Sequence, residues 1–350
     1  MHFLDLNSAD AARLRQSQLT KPAGSLGRLE ELAIWFAARL GNSTPPRLNP
    51  AIVIFAADHG VALDGVSAFP QSVTSQMVLN FLAGGAAISV LAREHQASLA
   101  VVDVGVATPY PQPAPDAGSP LRYFRLPVRA GTANLRTAAA MSAEDCRKAW
   151  QIGAEAARLA GERNKSLLIG GEMGIGNTTA AAALICALTD CRPDEIVGHG
   201  TGVDEAGRQH KITVVSAALA RAHAAGASTP QDWLAEVGGL EIAALAGFYS
   251  EAAALGVPVL LDGFISTAAA LVAVRHAPAV GDWLLASHVS QELGHQRCLA
   301  ELGLTPLFDL GLRLGEASGA ALAIPLLQAA LALHRDMATF AEAGVTGPAA

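Results

Sequence analysis

Five short apolar runs mark this chain, and each stops at a glycine or a polar residue before an alanine- and leucine-rich stretch. They occupy residues 51–57, 98–105, 166–170, 257–263 and 283–288. Runs of this length match buried strands, and the stretches after them match helices. Repeated strand–loop–helix units predict an α/β fold, a parallel sheet flanked by helices in a Rossmann-like arrangement. Ligands in such sheets bind outside the carboxyl ends of the strands. The first, fourth and fifth runs end there in Asp58-His59-Gly60, Asp262-Gly263 and Ser287-His288.

The flanks read differently. Residues 1–40 carry apolar positions at helical spacing, with Ser8-Ala-Asp10 as one cap and Ser25-Leu-Gly-Arg28-Leu-Glu30 opening a second segment. Gly41-Asn-Ser-Thr-Pro-Pro46 breaks the chain, and after His288 it reads as helical again. The expected division is a large substrate-binding domain over 45–300 and a small helical lobe built from 1–44 plus 301–350. The proline-rich stretch 109–120 is expected to be an exposed loop.

Half of the 350 residues are hydrophobic (51%) and 16% are charged, enough for a large core. A formal charge of −7 without a basic stripe argues against a nucleic-acid partner. Apolar runs of strand length argue against a membrane partner, and residues 1–11 lack the apolar core of a secretory signal. Cys146, Cys186, Cys191 and Cys298 form no C-x-x-C pair and suit packing or surface thiols in the cytoplasm.

Three glycine-rich clusters carry the chemistry. Gly170-Gly-Glu172-Met-Gly174-Ile175-Gly176-Asn177-Thr178-Thr179 follows a strand and opens an alanine-rich helix. Its spacing fits neither the dinucleotide nor the Walker pattern. It suits a phosphate at a helix N-terminus, or a tight turn capped by Asn177 or Thr178. Gly198-His-Gly200-Thr201-Gly202 precedes Lys211, either a cation for a phosphate or a solvated lysine beside a surface loop. Leu314-Gly-Glu316-Ala317 sets one carboxyl among small apolar residues. Lost hydration should raise its pKa toward that of a general base, unless it is a glutamate beside a helix cap. His59, His288 and His295 lack metal-ligand spacing, so no metal is expected. A dinucleotide oxidoreductase, a non-catalytic nucleotide carrier and a structural protein remain as alternatives.

Taken in order, the chain resembles the nicotinate-nucleotide:dimethylbenzimidazole phosphoribosyltransferase family over nearly its whole length. The resemblance rests on Leu19-Thr-Lys-Pro-Ala-Gly-Ser-Leu-Gly-Arg28, Ala57-Asp-His-Gly-Val61, Gly84-Gly-Ala-Ala-Ile88 and the Gly171–Thr179 loop. It continues through Gly200-Thr-Gly202, Glu236-Val-Gly-Gly-Leu240, Leu261-Asp-Gly-Phe264, Ser287-His-Val-Ser290 and Leu314-Gly-Glu316. The resemblance implies transfer of a phosphoribosyl group from nicotinate mononucleotide to a benzimidazole base, without a cofactor, by a homodimer. It implies Glu316 as the catalytic residue and Glu172, Gly174, Ile175, Gly176, Asn177 and Thr178 as nucleotide contacts. Gly200, Thr201, Gly202, Lys211 and Ser290 would surround the phosphoribosyl group, and Phe69, Gln76, Met77 and Leu314 the acceptor base. His199 stands where the family pattern leads us to expect arginine, and Ala317 where it leads us to expect glycine, a methyl expected to narrow the base pocket.

Overall fold

A computed structural model describes residues 2–111, 121–163, 165–200 and 202–347. Residues 112–120, most of the proline-rich stretch, and Thr201 therefore lie outside the described residues. The strands are β1 (Pro50–Ala57), β2 (Ser98–Gly105), β3 (Leu121–Arg125), β4 (Leu167–Met173), β5 (Val259–Leu261), β6 (Leu284–Ala286), β7 (His288–Ser290) and β8 (Phe308–Leu312). The helices begin with α1 (Leu6–Gln18), α2 (Arg28–Leu40), α3 (Ser72–Leu82), α4 (Ala87–Glu94), α5 (Ala143–Gly161), α6 (Asn177–Thr189) and α7 (Pro193–Ile196). They continue with α8 (Glu205–Ala224), α9 (Pro230–Val237), α10 (Leu240–Leu255), α11 (Phe264–His276), α12 (Leu293–Glu301), α13 (Ser318–Asp336) and α14 (Phe340–Ala343).

Six parallel strands form the main sheet in the order β3-β2-β1-β4-β5-β6, the doubly wound order that reverses between β1 and β4. The side-chain period of two divides β1 between two cores. Ala51, Val53, Phe55 and Ala57 join the layer containing α5, α6, α10 and α11. Ile52, Ile54 and Ala56 join the layer containing α2, α3, α4 and α13. Both faces are thus covered, which explains why β1 is buried at every position.

All five anticipated strands are present, β2 with the anticipated ends and the others with shifted ones. Three more went unread: β3 and β8 are half-exposed and carry charged residues, and β7 is only three residues long. After His288 the chain is not simply helical: β7 and β8 pair in parallel as a separate two-stranded sheet. The cap of α1 also differs from expectation. Asp5, not Ser8, caps it, accepting from the Ser8 N–H at 3.1 Å and the Ser8 hydroxyl at 2.9 Å. The chain ends meet where Arg15 donates to the carbonyls of His334 and Arg335, at 2.8 and 2.7 Å. Residues 72–94 reach a mean hydropathy of 1.5. Gly84, at φ +79°, separates them into α3 and α4, which pack on the sheet.

The alanine-rich composition has a packing purpose. Helices α5 and α10 approach so closely that a Cβ at Gly153 would land on the Ala244 carbonyl, and one at Gly247 on the Trp150 carbonyl. Gly153→Ala should therefore destabilise the fold by about 1–3 kcal/mol or more, since rigid backbone cannot yield as a side chain can. Urea denaturation would show it as a lowered midpoint with an unchanged m-value.

Candidate active site

A cleft lies over the carboxyl ends of β4, β5 and β6, with about 610 Å³ of empty space counting the part open to solvent. That suits a small ligand of nucleotide size. The switch point between β1 and β4 lies beside it but is filled. There His59 is fully buried, its Nε2 2.6 Å from Glu241 Oε1, and Gly174 and Gly239 leave room for its ring. The crevice is thereby displaced toward β5 and β6.

Three successive residues in left-handed conformation form one wall. Gly315, Glu316 and Ala317 have φ of +82°, +61° and +65°. Each non-glycine residue there costs roughly 1 kcal/mol or more, and such strain clusters at functional sites. What holds the turn is Asp262, at the tip of β5. One carboxylate oxygen accepts from the Ala317 N–H at 3.1 Å and the other from the Ala320 N–H at 2.9 Å. The first turn of α13 thus receives a negative charge where its dipole favours one. Ser318 closes the loop by donating its hydroxyl to the Gly315 carbonyl at 2.7 Å.

Glu316 lines the cleft but is only 6% exposed. Burial, with the negative charge of Asp262, pushes its carboxyl up to about 7. The reading of Glu316 as an ordinary glutamate beside a helix cap thus gives way: Asp262 does the capping. Across the turn Glu172 ends β4 and comes close enough that a Cβ on Gly315 would lie 2.6 Å from its Oε1. Burial and the charges of Asp262 and Glu241 hold Glu172 well above the usual carboxylate range, despite the hydrogen bond it accepts from the Asn177 amide. Asn177 is therefore turned back toward the strand and does not cap α6. Gly176, at φ +97°, takes the cap position without a side-chain bond. Ile175 donates its N–H to Thr74 on α3 at 3.1 Å.

The other end of the cleft holds a cation. Lys211 is 1% exposed, so the solvated-lysine reading fails. Its Nζ donates to Thr178 Oγ1 at 3.1 Å, and Gly200 lies against both: a Cβ there would sit 2.9 Å from each. Burial lowers the lysine pKa while Glu292 pulls it back up. Ser290 ends β7, and the neutral ring of His295 fixes it. The Ser290 N–H donates to His295 Nδ1 at 2.8 Å, which leaves the ring proton on Nε2, 2.9 Å from Thr267 Oγ1. Burial lowers His295 to about 3. Both its ring nitrogens are occupied within the fold, so it is not free to bind a metal.

The cleft brings together Glu172, Gly174, Ile175, Asn177, Thr178, Gly200, Ser290, Leu314 and Glu316. Gly176 and Lys211 stand directly behind them, and Gly202 is exposed on the following loop. Phe69, Gln76 and Met77 do not line it. They lie on and just before α3, which reaches the site through Thr74. The Ala317 methyl does not narrow the cleft either: it is fully buried, and a Cβ on Gly171 would meet it at 2.8 Å. His199 is exposed and its Nδ1 lies 2.9 Å from the Val203 carbonyl. Sequence reasoning missed Asp262, Glu292 and Arg313 as parts of the site. Asp262 had a signal in its place at a strand's carboxyl end. Glu292 and Arg313 had none.

A family model described as "Phosphoribosyltransferase" (DBI_PRT) matches residues 1–345. A relative from Chromobacterium violaceum, called nicotinate-nucleotide--dimethylbenzimidazole phosphoribosyltransferase, is 57% identical over 347 residues, 99% of this chain and 98% of its own. One of the same name from Xanthomonas oryzae pv. oryzae is 54% identical, covering 98% and 96%. The crystal structure of CobT from Thermus thermophilus superposes with a TM-score of 0.92 at 49% identity, over 98% of this chain and all of that one.

Asp262→Asn should keep the fold but weaken the α13 cap, because an amide offers one acceptor where two N–H groups need two. The loss should be about 1–3 kcal/mol. It is best read by denaturation at pH 6, where Glu316 is mostly protonated and relief of its repulsion with Asp262 contributes little.

Proposed function

The chain belongs to this phosphoribosyltransferase family, and from that premise we propose how its cleft moves the 5-phosphoribosyl group of nicotinate mononucleotide onto dimethylbenzimidazole, releasing nicotinate and forming α-ribazole phosphate. The observation that carries the proposal is the placing of Glu316. A carboxyl raised to about 7 and a buried ammonium, Lys211, serve the same cleft.

The donor's phosphate is assigned to Lys211, Thr178 and the backbone of the Gly200–Gly202 loop, with Ser290 beside it. The ribose then spans the floor at Glu172 and Asn177, and the acceptor base lies against Leu314. The donor's pyridinium nitrogen is already cationic, so nicotinate leaves with a neutral ring and needs no general acid. The acceptor attacks C1′ through one ring nitrogen and must lose the proton on the other. Glu316, in its carboxylate form, takes that proton. In-line attack on a β-nucleotide inverts C1′ and gives the α product. As the glycosidic bond breaks, positive charge develops on the ribose. A cation brought beside Glu172 favours its ionised form, which then stabilises the transition state. The phosphate clamp keeps C1′ aligned with the attacking nitrogen. None of these steps calls on a metal or redox cofactor.

Phe69, Gln76 and Met77 are proposed to meet the acceptor's outer edge once it is bound, through α3. The protein is proposed to work as a cytoplasmic homodimer. Three cysteines, Cys146, Cys186 and Cys298, are buried and unpaired, which suits a reducing compartment.

Purified protein given both substrates should release nicotinate and one equivalent of an α-linked ribazole phosphate, identified by chromatography and mass. Glu316→Gln should lower kcat by about 100-fold or more, the range of a general base, and leave donor affinity nearly unchanged. Wild-type turnover in that variant would remove Glu316 from the role.

A further inference from the structure

Two charged groups lining the cleft, Glu292 and Arg313, have no part in the mechanism above. Glu292 precedes α12 and lines the cleft within electrostatic reach of the Lys211 ammonium, yet it is 7% exposed and its Oε2 has no hydrogen-bond partner. The Gly200 backbone N–H and the Lys211 charge both favour its ionised form. Gly198 lies against the unpartnered oxygen closely enough that a Cβ there would collide with it. The carboxyl is thus held facing the same ammonium and the same backbone loop that the donor's phosphate is assigned to.

A buried carboxylate beside an ammonium is a reasonable resting arrangement, since each offsets part of the other's desolvation. A phosphate dianion at the same ammonium changes this. The carboxylate then faces a second anion at short range and shares its counter-charge. Protonation removes the repulsion and gives the carboxyl an O–H that can donate. The charged groups facing Glu292 are Lys211 on α8, His199 on the preceding loop and Arg313 beyond β8. All of these favour its ionised form, whereas burial, the largest influence, raises its pKa. The group therefore starts above the ordinary carboxylate range.

We propose that Glu292 is a proton-gated partner of the donor's phosphate: a carboxylate companion to Lys211 in the empty cleft, and a neutral acid donating to the phosphate once the nucleotide is bound. Donor binding then takes up a proton from solvent, and affinity weakens as pH rises. This rests on the assignment of the phosphate to the Lys211 clamp. It adds a residue that selects for the phosphate by its protonation state.

The test is titration calorimetry of the whole protein with nicotinate mononucleotide between pH 7 and 9, in pairs of buffers of different ionisation enthalpy. The dependence of the heat on buffer gives the protons taken up. The wild type should take up more protons than Glu292→Gln, and its Kd should rise more steeply with pH, by up to about tenfold more per pH unit. Glu292→Gln, checked for fold by circular dichroism, should take up about one proton fewer and lose that slope. Nicotinate riboside, which lacks the phosphate, should show no difference between the two proteins. Wild type that binds the nucleotide with less proton uptake than Glu292→Gln would overturn the proposal. So would equal uptake and slope in both proteins, or folded Glu292→Gln that fails to bind the nucleotide at any pH. If the wild type binds no donor at all, the functional reading itself fails, a result distinct from these.

Discussion

The pair of hydrogen bonds from Ala317 and Ala320 to Asp262 is the contact on which the site depends. It joins the tip of β5 to the start of α13, and the left-handed turn between β8 and α13 is stretched across that join. Three consecutive residues at positive φ would not persist in a free loop. They persist here because a carboxylate takes up the N–H groups at the start of the helix, and the result is that Glu316 faces the cleft. The same charge helps push Glu316 up to about 7. One residue thus holds the proposed base in place and adds to the burial that raises its proton affinity.

The floor of the cleft gathers Glu172, Glu241, Asp262 and Glu316, an expensive arrangement for a buried region. Most of that cost is met locally. Asn177 donates to Glu172, His59 pairs with Glu241, and two backbone N–H groups serve Asp262. Glu172 and Glu316 are the members that open on the cleft. A floor of this sign suits a reaction whose donor is a pyridinium and whose transition state places positive charge on the ribose. The opposite end, with Lys211 buried beside Thr178 and Gly200, suits the phosphate. The two ends thus give the direction in which the donor is proposed to lie.

Much of this was legible in the sequence, because buried parallel strands leave near-continuous apolar runs that few other structures mimic. The runs at β1, β2 and β4 placed the sheet, and glycines beside a lone Glu316 pointed to the proposed base. What escaped shares a physical cause. Strands β3 and β8 are edge-like and half-exposed, so they carry no apolar signature. Asp262 serves a helix that begins over fifty residues later, and no local pattern shows such a bond. The Ala317 methyl was expected in the base pocket. It points instead into the core at Gly171, a direction set by the left-handed turn, which the sequence does not reveal. The sequence left Lys211 open between a phosphate's cation and a solvated side chain, since the fold that buries it comes from distant segments.

The most direct test of the central claim, that Asp262 places Glu316 and sets its proton affinity, is the pH dependence of kcat at saturating substrates in the wild type and in Asp262→Asn. Glu316 must be ionised to act, so wild-type turnover should rise with pH through a limb near 7. Removing the neighbouring charge should move that limb to lower pH, with a lower plateau where the turn has loosened. A limb at the same pH in both proteins, or a profile flat between pH 5 and 8, would contradict the account.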